Sequence, residues 1–72
     1  MWERISIDKF RNERGYEVYV EDQIENEYET GKFELNIWLA EGGYWETIEV
    51  YNTFDEAIIA LEQYVKDNPN AY

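Results

Sequence analysis

The sequence has no cysteine, no histidine, one proline, one serine and only six basic residues in seventy-two. Each shortage removes a class of solution. Without cysteine there are no disulfides, on which many domains of this size depend because their cores are small. With histidine also absent, a zinc site would have to be built from carboxylates alone, which is uncommon. The commonest general base and the thiol nucleophile are missing as well. Ser6, the single serine, falls in the middle of a strand-like pattern with no base beside it. A carboxylate pair could in principle serve glycoside chemistry, but a chain this short offers little cleft to bury a substrate. The expectation is a protein that is not an enzyme and uses no cofactor or metal. The scarcity of Lys and Arg argues against direct binding of nucleic acid, where basic side chains displace counterions from phosphate. It argues equally against anionic membrane surfaces. No apolar run is long enough to span a bilayer, and MWERISIDKF lacks the apolar centre of a secretory leader. A cytoplasmic protein is expected.

What is abundant is negative charge and aromatic area. Seventeen acidic residues against six basic ones give a net charge of −11. Such an excess repels itself on compaction, keeps the protein soluble and attracts cations. It does not imply disorder, because 44% of the residues are hydrophobic and they recur periodically. Three Trp, seven Tyr and three Phe supply large buried areas per residue, which a small core needs. The length sets one domain, 1–72.

Period-two alternation marks four strands. ERISIDKF (3–10) places Ile5 and Ile7 on one side and Arg4, Ser6 and Asp8 on the other. RNERG reads as a turn, with Asn12 and Gly15 suited to positive φ. YEVYV (16–20) sets Tyr16, Val18 and Val20 inward and Glu17, Tyr19 and Glu21 outward. FELNIWLA (33–40) sets Phe33, Leu35, Ile37 and Leu39 inward and Glu34, Asn36 and Trp38 outward. YWETIEVY (44–51) sets Ile48 and Val50 inward and Trp45, Thr47, Glu49 and Tyr51 outward. Gly42-Gly43 suits a two-residue hairpin turn, which pairs Ile37 with Ile48, Leu35 with Val50 and Trp38 with Thr47. No phosphate-loop spacing surrounds these glycines.

One helix follows. Thr53 and Glu56 have capping-box spacing, and Asp55 and Glu56 complement the helix dipole. Phe54, Ala57, Ile58, Leu61, Tyr64 and Val65 form an apolar stripe, and Pro69 stops the helix near Asn68. The fold class expected is α+β: a four-stranded antiparallel sheet with the C-terminal helix across its inner face, ββββα.

EDQIENEYET (21–30) holds five carboxylates and no basic residue. Two placements are open. In one, Thr30-Gly31 closes a turn, Ile24 pairs with Ile37 and Tyr28 with Phe33, and a long strand runs from Tyr16 to Glu29 with Glu17, Glu21, Glu25, Glu27 and Glu29 outward. In the other, residues 21–32 form a loop between shorter strands. A calcium loop is not indicated, since the spaced Asp/Asn pattern with its central glycine and terminal glutamate is missing.

The outer face carries the candidate site. Tyr19, Trp38, Trp45 and Tyr51 would stand among Glu17, Glu21, Glu25, Glu27, Glu34 and Glu49. Contiguous exposed aromatics commonly mark a contact surface. Carboxylates two apart on a strand are about 7 Å apart, of the same order as successive phosphates on one nucleic-acid strand. Cross-strand aromatic pairs also stabilise sheets without any partner, and the face could instead be covered by Met1-Trp2, by Ala71-Tyr72 or by a second copy. In size, acidity and element type the chain resembles small phage and mobile-element inhibitors, such as uracil-DNA glycosylase inhibitors and anti-CRISPR proteins, some of which mimic DNA. The strand order also resembles the single-stranded-DNA-binding coactivator fold, whose surface is not acidic. The first resemblance implies an inhibitor or regulator that occupies the groove of a basic, nucleic-acid-handling protein. The alternative is a homodimeric interaction module with the aromatic face as its interface.

Overall fold

The computed structural model describes residues 1–69. Its elements are β1 (Glu3–Ser6), β2 (Lys9–Arg11), β3 (Glu17–Glu25), β4 (Tyr28–Leu39), β5 (Tyr44–Tyr51) and α1 (Phe54–Asp67). The strands form one antiparallel sheet in chain order. The fold is α+β with a C-terminal helix, and the sheet has five strands where the alternation predicts four.

The extra strand comes from a turn at Ile7 and Asp8, which splits the first expected strand into two antiparallel pieces. Short polar groups hold this turn. The Ser6 hydroxyl donates to Asp8 Oδ1 (2.7 Å), and the Arg4 guanidinium donates to the carbonyls of Ser6 and Ile7. Alternation cannot reveal such a break, because the polar residues that make the turn also satisfy period two. The reversal changes which side chains face the helix. Arg4 pairs with Phe10, lies 5.0 Å above its ring and reaches Glu62 on α1 (2.8 Å). Ile5 and Ile7, expected on one side of a single strand, are 43% and 65% exposed.

In the next turn Asn12 is buried and acts through its side chain rather than through positive φ. Its Oδ1 accepts from the amides of Arg14 and Tyr16, both at 3.0 Å. Gly15 does take positive φ, at +85°.

The core lies between the sheet and α1. Val18, Val20, Leu35, Ala57 and Leu61 form its centre, with Phe10, Phe33, Tyr51, Tyr64 and Val65 packed around them. Thr53 caps the helix: its Oγ accepts from the Glu56 amide (3.1 Å), and its hydroxyl donates to the Glu56 carboxylate. Trp2 packs against this core and its indole N–H donates to the Asn68 carbonyl (2.6 Å), tying the chain's beginning to the end of the helix. Trp2 therefore does not cover the outer face. Ala71 and Tyr72 lie outside the described residues.

Both hairpins differ in register from the sequence reading. Strands β3 and β4 meet at Asn26 and Glu27, whose φ values are +52° and +73°. Successive left-handed residues are what a tight hairpin matched to strand twist requires. Ile24 thus faces Glu29 rather than Ile37, and Phe33 faces Asp22 rather than Tyr28. Thr30-Gly31 forms no turn. It lies where the register slips opposite Gln23, with Gly31 at φ +85° and the Thr30 hydroxyl bonded to Gln23. Between β4 and β5 the connection spans residues 40–43, with the amides of Gly42 and Gly43 both donating to the Leu39 carbonyl. Trp38 consequently faces Trp45 rather than Thr47, and Ile37 faces Glu46. A bulge at Ile48 shifts the rest, so that Leu35 faces Glu49, Glu34 faces Val50 and Phe33 faces Tyr51.

Candidate functional site: the acidic sheet face and hairpin

Directly opposed residues in antiparallel strands share a face, so the register writes out the side away from the helix in rows. Arg11, Glu17, Trp38 and Trp45 form one row, and Lys9, Tyr19, Asn36 and Thr47 the next. Glu21, Glu34 and Val50 form the third. Glu17, Tyr19, Glu21, Glu34, Trp38 and Trp45 are brought together as the alternation predicts. Two others are not. Tyr51, expected outward, faces Phe33 and packs against the core, and Glu49 falls opposite Leu35, because the bulge at Ile48 reverses the parity of the end of β5.

The first row is not purely acidic. Glu17 binds Arg11 at 2.6 Å and Lys9 at 3.4 Å, and its side chain is only 19% exposed. Burial pushes this carboxyl up, but Arg11 and Lys9 together outweigh burial and hold it below the usual glutamate range. Lys9 also sits 5.4 Å from the centre of the Tyr19 ring. Burial, with Glu21, Glu17 and Glu34 adding to it, raises the Tyr19 hydroxyl above the ordinary tyrosine value. Glu17 is therefore already neutralised within the protein, and an approaching cation gains little from it.

The third row behaves in the opposite way. Glu21 and Glu34 are directly opposed like charges, an arrangement that costs a sheet stability. Asn36, in the second row and two residues from Glu34 on the same face of β4, is fully buried. Its Nδ2 donates to Glu21 Oε1 (2.8 Å) and Glu34 Oε1 (3.3 Å). One neutral amide thus bridges two anions. The Asn36 Oδ1 is buried and accepts no hydrogen bond among the described residues.

Beyond this face the acidic hairpin reaches past the core. Glu21, Asp22 and Glu25 lie on β3, Glu27 in the turn and Glu29 on β4, all exposed, and Tyr28 and Ile24 beside them are 77% and 61% exposed. The expected single outward row of carboxylates is split. Glu25 shares a face with Tyr28, while Glu29 shares one with Ile24. Among the described residues, none of Asp22, Glu25, Glu27 and Glu29 has a basic partner. The ion pairs instead engage Glu13, Glu17, Glu41 and Glu62. Four of the six basic residues fall within the first fourteen positions. Arg14 reaches across to Glu41 in the β4–β5 connection, and Lys32 on β4 is the one cation within the hairpin, forming no ion pair among the described residues.

Sequence reasoning missed Lys9, Arg11 and the bridging role of Asn36. The first two were within reach, since the N-x-x-G turn after Arg11 brings β2 back along β3. The burial of Asn36 carries no sequence signal. A hollow of about 250 Å³ opens at β1, lined by Met1, Glu3, Ile5, Arg11, Asn12 and Glu13. None of Tyr19, Trp38 and Trp45 lines it. No group of three or more carboxylates with metal-holding geometry occurs among the described residues, and no helix there is long and apolar enough to cross a membrane. Compared with protein-family models, with curated proteins and with solved structures, the chain matches none.

Proposed function

We propose that this is a non-enzymatic binding protein that inhibits or regulates a basic partner by occupying the groove in which that partner holds nucleic acid. The observation that carries the reading is the segregation of charge. The hairpin carboxylates Asp22, Glu25, Glu27 and Glu29 are exposed and have no basic partner among the described residues, whereas Glu17 is compensated from within. Unpaired exposed charge of one sign is available to steer an oppositely charged partner. Tyr28 at the hairpin and Trp45 on the outer face, 53% exposed, supply aromatic area of the kind that anchors interfaces.

The test is capture of proteins from a lysate by the tagged protein, with and without competing double-stranded DNA and across a range of salt. A basic nucleic-acid-binding protein should be retained, released by DNA and weakened by salt. A variant with Asp22→Asn, Glu25→Gln, Glu27→Gln and Glu29→Gln should retain much less of it. Unchanged capture by that variant would refute groove occupation. A doubled mass in solution with shielded tryptophans would instead favour the homodimeric module, for which the paired Trp38 and Trp45 are the supporting feature.

A further inference from the structure

β5 is one of the two edges of the sheet, and the edges are unlike. β1 has four residues and a register shift, and its Arg4 is committed to Glu62 and to the carbonyls of the turn. β5 has eight residues, and Tyr44, Trp45 and Ile48 on it are 50%, 53% and 40% exposed. An edge strand presents a row of unpaired amides and carbonyls, and proteins commonly blunt it with lysine, proline or a covering segment. Here there is neither lysine nor proline on the strand. Glu46 and Glu49 put negative charge on the edge, and the bulge at Ile48 interrupts it, leaving residues 44–47 as an unbroken template.

Charge selects the occupant. Of the seven carboxylates in residues 33–65, Glu41 and Glu62 already bind Arg14 and Arg4, whereas Glu46 and Glu49, both on β5, have no basic partner among the described residues. Glu46 lies on the edge itself, on the side it shares with Ile37, while Trp45 and Thr47 lie on the side of Trp38 and Asn36. A second copy of the chain would bring its own excess of −11 and its own Glu46 to the same edge, which like-charge repulsion opposes.

We propose that residues 44–47 of β5 accept an extended basic segment of a partner protein as an additional strand. Cations at alternate positions of that segment lie beside Glu46, and apolar side chains lie beside Trp45 and Thr47. The mode is strand addition, in which backbone hydrogen bonds supply affinity and alternate side chains supply specificity. It rests on the reading of a basic partner and adds how that partner attaches.

The test titrates isotope-labelled protein with the capped heptapeptide Lys-Val-Lys-Val-Lys-Val-Lys. In parallel it uses two versions N-methylated at alternate residues, one for each phase, and a Glu-Val counterpart. The lysine peptide should bind and shift the amide resonances of residues 44–47. One N-methylated phase should bind about tenfold more weakly, the effect of losing one or two backbone hydrogen bonds, and the glutamate peptide should not bind. Equal binding by the parent and both N-methylated peptides would overturn strand addition, as would shifts confined to the hairpin around Glu25 and Tyr28. Either result leaves the basic-partner reading standing, because that is judged by DNA competition and by the carboxylate variant. Equal binding of the glutamate peptide would overturn the choice of a basic occupant, and a dimer paired through β5 would overturn the proposal by filling the edge.

Discussion

Glu17 and Glu21 are four residues apart on the same face of the same strand, yet their surroundings are opposite. Glu17 meets two cations, and Glu21 meets another carboxylate and an amide. Removing each charge should therefore have opposite results. Glu17→Gln should lower unfolding free energy by about 1 kcal/mol, since the pair with Arg11 is shielded but Lys9 and Arg11 are half-exposed. Glu21→Gln keeps an acceptor for Asn36 and relieves the repulsion from Glu34, so it should be neutral or stabilising by about 0.2–1 kcal/mol. Denaturant midpoints of the two variants at neutral pH check this. The Glu17 difference has a definite pH dependence. Its folded pKa is depressed, so the stabilisation is fully present above the ordinary glutamate value of about 4.3 and is lost as pH falls through the lower folded pKa. The gap between Glu17→Gln and the unaltered protein should close in strong acid and persist at neutrality.

At the scale of elements, the β3–β4 hairpin combines a demanding turn with an ordinary residue in it. Glu27 sits at φ +73°, a conformation that costs a residue with a Cβ roughly 1–2 kcal/mol and glycine little. Glu27→Gly converts the turn to Asn-Gly, the favoured pair for this geometry. It should raise stability by about 0.5–1 kcal/mol and slow amide exchange at the hairpin tip. A lower denaturation midpoint would mean that the turn is not the strained part of the hairpin. Register is also where the sequence was least legible. Parity along β3 and β4 correctly assigns Val18, Val20, Leu35 and Ile37 inward, because the sheet has one buried face and alternation reads it directly. Alternation does not say which residue lies opposite which. The Gly-Gly pair is compatible with a two-residue or a four-residue connection, and a bulge such as that at Ile48 rewrites every pairing after it. Trp38 opposite Trp45 and the inward Tyr51 both follow from those two features.

For the whole molecule the controlling quantity is the net charge of −11. Compaction brings these charges together, and salt screens them over about 30 Å at 0.01 M but only about 8 Å at 0.15 M. Raising salt over that range at neutral pH should stabilise the fold by about 1 kcal/mol, a rise in Tm of about 4–8 °C for a domain of this size. Binding to a basic partner should weaken over the same range. The two responses have opposite signs because salt screens repulsion within the molecule and attraction between molecules alike. A Tm that falls with salt would show that the ion pairs of Glu17, Glu41 and Glu62 outweigh the global repulsion.

Local pattern was enough for the inward residues of β3 and β4, the capped helix and the excess of acid, because periodicity, capping chemistry and charge are local or additive. Tertiary structure alone decided that the chain turns at Ile7 and Asp8, that the acidic stretch doubles back at Asn26 and Glu27, and that Glu17 is neutralised while the hairpin is not. Those outcomes depend on which strands pair and in what register. Pairing is settled by contacts between residues far apart in the chain, and no local pattern encodes it.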